Sequence, residues 1–318
     1  MKKTLHLFGF AFIVIAIFTL SSCTKEVIRK TFPLSAEIFN SVVDKQVAFT
    51  ALTHSAVSWS WDFGDGKTST EQNPVHVYDD GGYYIATLTA MDAIGNSATS
   101  EVKLVISLTP FALLTGDHTA DGYNGKTWKL TANHSANDYL ANADADFSVV
   151  DDTPNPLPTG VFDLSLGMGE VYDDEFTFHY DGSYSHDVKE DGAAFGGIVY
   201  QYMLNGGADI VNANGAEFGL CTATYPPEAV ATFTYVENED FDVPSVYGPA
   251  GIITYSSVST FDFSGTEFVG FLDFQRKVIV QEIADNTMRL VMFMAAGQDP
   301  SIIGINTHAL ILTFEVVE

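Results

Sequence analysis

Four carboxylates fall within six residues at Glu170-Val171-Tyr172-Asp173-Asp174-Glu175. Cleaving a glycosidic bond takes two carboxyl groups placed on either side of it, so this run is the first candidate for chemistry. On an extended strand Glu170 and Asp174 face one way, and Asp173 and Glu175 face the other. The plainer alternative is an acidic strand entry, either solvated or holding calcium. Two further oxygen-rich runs suit a hard divalent cation. Asn142, Asp144 and Asp146 alternate, with Asp151-Asp152 close behind. Asp117, Asp121 and Asn124 form a second cluster just before Trp128. Hydrated loops are the other reading of both. No G-x-S-x-G, H-E-x-x-H, Cys/His metal spacing or phosphate-cradling glycine loop is present, and no EF-hand loop.

Aromatic rings offer a different chemistry. A ring face packs on the apolar face of a sugar while the ring edge stays wet. The candidates are Trp128, Tyr123, Tyr139, Tyr200, Tyr202 and Tyr247, with Phe195 and Tyr225 beside them. Trp128 opens a strand and is either core or platform. Tyr200 and Tyr202 share a face and are bracketed by Gly196-Gly197 and Gly206-Gly207. That suits a binding rim or an ordinary edge strand.

The elements that must carry these residues are strands. The chain has 318 residues, enough for two ordinary domains, and is 46% hydrophobic. No stretch after residue 110 sustains an i, i+3, i+4, i+7 apolar pattern. Strand-like runs recur instead at Thr127–Thr131, Val161–Leu166, Glu175–Tyr180, Ser183–Asp187, Ile198–Leu204, Val230–Tyr235, Ile252–Ser256, Phe268–Phe271, Val278–Ile283, Met288–Met294 and Ala309–Val316. Asp181-Gly182 predicts a hairpin with Phe176, Phe178 and Tyr180 on one face, and Asp285-Asn286 predicts another. The expected fold class is all-β, with a larger β-sandwich or jelly-roll over residues 111–318. Residues 132–160 and 189–250 read as loop-rich.

Net charge is −27, and residues 110–318 alone hold 31 acids against 6 bases. Such a surface repels phosphate backbones, which argues against nucleic acid as a partner. Cys23 and Cys221 are the only cysteines and make no disulfide framework.

Residues 33–107 are organised around Trp59-Ser60-Trp61-Asp62-Phe63-Gly64-Asp65-Gly66. Trp59, Trp61 and Phe63 alternate onto one strand face, and Asp65-Gly66 reverses the chain. Asn73-Pro74, His76, Tyr78, the run Gly82 to Ala90, Asp92 and Gly95-Asn96 follow in order. This segment resembles a PKD domain. The resemblance implies an immunoglobulin-like β-sandwich that spaces or recognises, with Trp61 and Phe63 in the core and Asp62 and Asp65 tying the turn.

Residues 1–23 read as an export signal: Lys2-Lys3, an apolar run from Leu5 to Leu20, then Leu20-Ser21-Ser22-Cys23. The ending resembles the lipobox of bacterial lipoproteins. It implies cleavage before Cys23 and lipidation there, leaving residues 24–32 as a tether. The alternative is an uncleaved anchor helix. Leu114-Thr115-Gly116, Gly125 to Leu130, Tyr172 to Phe178 with Asp181 to Tyr184, and the Phe268–Met294 strand pair resemble C-terminal domains of Bacteroidetes outer-membrane lipoproteins. That resemblance implies a surface glycan-binding protein working beside a SusC/SusD-type importer, without catalysis, with no required cofactor, and with structural calcium as an option. A β-sandwich glycoside hydrolase or lyase, and an adhesin with no sugar site, stand as the alternatives.

Overall fold

The computed structural model describes residues 32–317. The expected signal, Cys23 and nearly all of the tether lie outside the described residues. No helix among the described residues is long and apolar enough to cross a membrane.

The first unit is a two-sheet sandwich. One sheet joins β1 (Ser35–Val43), β2 (Gln46–His54) and β5 (Val75–Val77). The other joins β4 (Thr68–Ser69), β3 (Ser58–Asp62), β6 (Gly82–Met91) and β7 (Ser97–Ile106). Period-two alternation puts Val47, Phe49, Trp61, Leu88, Leu104 and Ile106 in one core between the sheets. Trp61 and Phe63 are buried as expected, whereas Trp59 on the same face is only half-buried and donates Nε1 to Thr53 Oγ1 at 3.3 Å. Asp62 Oδ1 accepts from Gly64 N at 2.9 Å, and Asp65 Oδ1 accepts from Lys67 N at 3.1 Å, so both aspartates do tie the turn. Gly64 is irreplaceable on two counts. Its φ is +80°, and a Cβ there would lie 2.5 Å from the carbonyl oxygen of Ile85.

The second unit begins at α1 (Pro110–Thr115), whose Thr109 Oγ1 caps Ala112 N at 3.2 Å. Its strands are β8 (Lys126–Leu130), β9 (Tyr139–Asn142), β10 (Glu175–Phe178), β11 (Ser183–Asp187), β12 (Ala193–Gly197), β13 (Ile210–Asn212), β14 (Leu220–Thr224), β15 (Ala231–Pro244), β16 (Ile252–Phe263), β17 (Val278–Ile283), β18 (Thr287–Met294) and β19 (His308–Val316). Eight of them pair in the order β8-β10-β11-β15-β16-β17-β18-β19, all antiparallel, and β19 pairs back onto β8 through Leu130↔Phe314. The expected sandwich is thus a sheet closed on itself, an up-and-down barrel that leaves no free edge. Strand β9 adds to β19 through Leu140↔Leu310, and β12-β14-β13 make a separate small sheet.

Eight strands enclose a space that side chains can fill. Trp128, Phe176, Phe178, Phe261, Leu290 and Phe314 fill it. A second core lies on the outside of the barrel. There the outer half of the β15–β16 hairpin supplies Phe241, Val243, Ile253 and Tyr255 against Ile279, Val291, Phe293 and Ile311. Strands covered on both faces read as continuous apolar runs, which accounts for Val278–Val280 and Met288–Met294.

Three expected strands are not strands. Val161–Leu164 forms a single helical turn, α2. Ile198–Asn205 forms a helix, α3, closed by Gly206 at φ +72°. Phe268 and Phe271 are buried in an irregular crossing with Phe271 N donating to Val269 O at 2.8 Å. The Asp181-Gly182 hairpin forms, but its loop is wider than two residues: His179 N donates to Ser183 O, which throws Tyr180 into the turn. Tyr180 is 46% exposed and does not share the core face of Phe176 and Phe178. The Asp285-Asn286 turn forms as expected, with Ala284 N donating to Thr287 O at 2.8 Å.

Candidate functional site

A concavity of about 860 Å³ lies where the two units meet. Strands β6 and β7 of the first unit contribute Tyr83 and Val105. The loop between α1 and β8 contributes Asp117, Asp121, Tyr123 and Asn124. The β17–β18 turn contributes Asp285 and Asn286, and Lys126 opens β8. Loops that must carry hydrogen-bonding side chains come together here because both barrel-end turns and the linker reach the same end of the barrel.

The groups in this cleft are held by the fold. Tyr123 donates its hydroxyl to Thr115 O at 2.9 Å and accepts from Tyr180 N at 2.8 Å, so its ring is fixed against the wall. Tyr180 stacks on His118 with ring centres 3.6 Å apart, which stiffens the same corner. Lys126 Nζ donates to Leu113 O at 2.6 Å and Asp285 O at 2.7 Å and sits over the Trp128 ring at 4.6 Å. Partial burial lowers its pKa below the ordinary lysine value, partly offset by Asp285. Asp117 Oδ1 accepts from Thr119 N and Thr119 Oγ1. Burial, with Asp117 and Asp285 nearby, pushes the Tyr83 hydroxyl above the usual tyrosine range. Tyr83 therefore stays a hydrogen-bond donor, facing the acids of the second unit. Lys103 of β7 reaches Asp121 across the junction at 3.5 Å.

Most of the other expected contact residues lie elsewhere. Trp128 is fully buried in the barrel, with Nε1 donating to Leu114 O at 3.0 Å, and offers no face to a ligand. Phe195 and Tyr225 are also buried. Tyr200 packs edge-on against Phe274, 5.1 Å between ring centres. Tyr202 is exposed, but on helix α3 residues two apart do not share a face, so the expected pair is not formed.

Tyr247 bonds to one of the expected metal residues, and Tyr139 to the loop that carries them. Tyr247 donates to Asn142 Oδ1 at 2.8 Å, and Tyr139 to Phe147 O at 3.1 Å. Yet Asp144 already accepts from Asp146 N, Ser148 N and the Ser148 hydroxyl. Asn142, Asp144 and Asp146 build a hairpin turn, and among the described residues no three His, Cys, Asp or Glu side chains are grouped to hold a metal.

The carboxylate run is split by the fold. Glu170, Asp173 and Glu175 line a cleft of about 510 Å³ with Lys129, Lys189, Glu190 and Asp191. Glu175 pairs with Lys189 at 2.7 Å, and Glu170 accepts from Thr222 Oγ1 at 2.9 Å. Asp174 is buried, its Oδ1 has no partner, and burial followed by Asp191, Asp173 and Asp187 pushes its pKa up to about 8. Tyr172 is buried too. Its hydroxyl lies 2.9 Å from His134 Nε2, and His134 Nδ1 lies 3.2 Å from Asp138 Oδ2, a polar chain that the sequence did not announce.

Residues 40–106 match the family model described as "PKD domain". The curated relatives match over the same segment. Collagenase ColA of Bacillus cereus is 32% identical over 77 residues, 23% of this chain and 8% of its own length. The metalloprotease PrtV of Vibrio cholerae is 46% identical over 57 residues, 18% of this chain and 6% of its own. The chain thus spans less than a tenth of these relatives. Among solved structures, the PKD1 domain of Vibrio cholerae PrtV matches 24% of this chain and all of its own, at 31% identity and TM-score 0.24. A carbohydrate-binding module of the β-sandwich superfamily aligns over 91% of this chain and 94% of its own, at 13% identity and TM-score 0.25. Residues 40–106 are a PKD domain.

Proposed function

We propose that this protein binds polysaccharide at the junction cleft and does not cleave it. The observation that carries this reading is the cleft's lining. Carboxylates, amides and the Tyr83 hydroxyl line an open concavity to which the rings of Tyr83 and Tyr123 also contribute. Paired acceptors and donors match the vicinal hydroxyls of a sugar, and the rings match its apolar face. With Asp117, Asp121 and Asp285 against a tied-down Lys126, the cleft selects neutral glycans over acidic ones. In this reading lipid on Cys23 anchors the chain to the outer membrane, the PKD domain doubles as spacer and cleft wall, and a SusC/SusD-type importer receives the glycan.

Affinity electrophoresis across neutral and acidic polysaccharides tests it. Retardation by a neutral polymer, weakened about fivefold in Tyr83→Ala, is the expected result, since one ring contributes about 1 kcal/mol. Retardation by none ends the reading and leaves an adhesin without a sugar site. Hydrolysis has one observation in its favour, the raised pKa of Asp174 beside the Glu170–Glu175 cleft. New reducing ends from a glycan panel, abolished by Glu170→Gln or Glu175→Gln, would establish it instead. The ion pair of Glu175 and the burial of Asp174 argue the other way.

A further inference from the structure

Away from the junction, two cavities adjoin on the flank of the barrel. The first, about 240 Å³, is apolar: its floor is Leu140, Phe162, Leu220 and Leu310, and Leu157 and Phe218 wall it. The second, about 350 Å³, shares Leu140, Thr153 and Phe218 with the first and carries Asp151, Asp152 and Glu217. No lysine or arginine lines either one. The only other titratable group there, His308, is held below the usual histidine range by burial and stays uncharged at neutral pH.

Open apolar surface in contact with water is unfavourable. An apolar space of ~150 Å³ already accommodates a benzene-sized group. The first chamber therefore takes a six-carbon alkyl or an aryl group. The second chamber presents three carboxylates to whatever leaves the first by way of Phe218. We propose that these joined cavities form a binding site for a small amphiphilic amine, with its alkyl or aryl tail among Leu140, Phe162 and Leu310 and its ammonium among Asp151, Asp152 and Glu217. The chemistry favours a cation over an alcohol and disfavours an anion. The site is separate from the glycan cleft and does not depend on it.

Calorimetric titration of the purified protein with n-butylamine, n-hexylamine, n-octylamine, n-hexanol and hexanoate tests the proposal. Binding is expected to tighten about fourfold per added methylene until the apolar chamber is full, then level off. Hexylamine should bind tighter than hexanol, and hexanoate weakest. Glu217→Gln, a change at an exposed side chain, should weaken hexylamine several-fold and leave hexanol unchanged. Ser165→Trp, which adds bulk at the lining of the apolar chamber, should weaken both, and Tyr83→Ala should affect neither. Hexanoate binding as tightly as hexylamine, no saturable binding in the millimolar range, or no response to Glu217→Gln would each overturn it. If Ser165→Trp melts early, the Glu217→Gln comparison decides alone.

Discussion

Asp174 and Asp138 are both buried carboxylates, and their surroundings push them in opposite directions. Asp174 is raised to about 8 by burial and then by neighbouring acids. In the unfolded chain it ionises near 4, so between about pH 4 and 8 the folded state holds a proton that the unfolded state has lost. Its contribution to stability is present below pH 4 and falls as pH rises to 8. Asp174→Asn should therefore raise the melting temperature at pH 8 and change it little at pH 4.5, at about 2–4 °C per kcal/mol. Thermal melts at the two pH values check this, and an equal shift at both would refute it. For Asp138, burial alone would raise the pKa, but bonds from His134, Ser135 and Thr313 outweigh it and hold it low. Its contribution is present above the unfolded value near 4 and is lost as pH falls below that. Asp138→Asn should cost about 1–3 kcal/mol at pH 7, because Ser135 Oγ, Thr313 Oγ1 and Thr313 N all donate to it. Urea unfolding at pH 7 measures that cost. Neither environment could be read from sequence, since Asp174 looked like one more acid in an acidic run and Asp138 was not singled out. The turn aspartates were legible because their partners are two residues away.

At the scale of elements, the readings that succeeded are those whose signal is local. The Asp285-Asn286 turn, the β10–β11 hairpin and the strands of the PKD domain follow from turn residues and period-two alternation. Helix α3 was misread because its run Ile198-Val199-Tyr200-Gln201-Tyr202-Met203-Leu204 is almost wholly apolar and too short to show a 3.6-residue period. Gly206-Gly207 was its stop signal, since Gly206 takes the left-handed conformation that closes the helix. Single-turn α2 is too short to show any 3.6-residue period. The β15–β16 hairpin outlasts the barrel wall, and its free half covers the outer core. Tyr255 ties that half down by stacking on Phe147 at 4.8 Å and donating to Asp144 O at 3.0 Å. Tyr255→Ala should cost about 3 kcal/mol or more in urea unfolding. Thr109→Ala, which removes the cap of α1, should cost about 1 kcal/mol.

At the scale of the whole molecule, the junction cleft belongs to neither unit alone. Tyr83 and Val105 come from the PKD domain, and Asp117, Tyr123 and Asp285 come from the barrel. Residues 33–107 and 108–318 produced separately should each melt cooperatively, because each has its own core. Neither should retard with a neutral polysaccharide that retards the whole chain; retardation by the barrel alone would place the site elsewhere. The sequence by itself determined the all-β class, the PKD domain and its tied turn, because alternation and glycine-bearing turns act over a few residues. Only the tertiary structure decided that the second sheet closes, with β19 returning to β8, since pairing between distant strands leaves no mark on either one. Closure sent Trp128 inward, the wide β10–β11 loop put Tyr180 outside, and the packing of the two units brought Tyr83 and Asp285 into one cleft; of the run of four acids, Asp174 alone is buried.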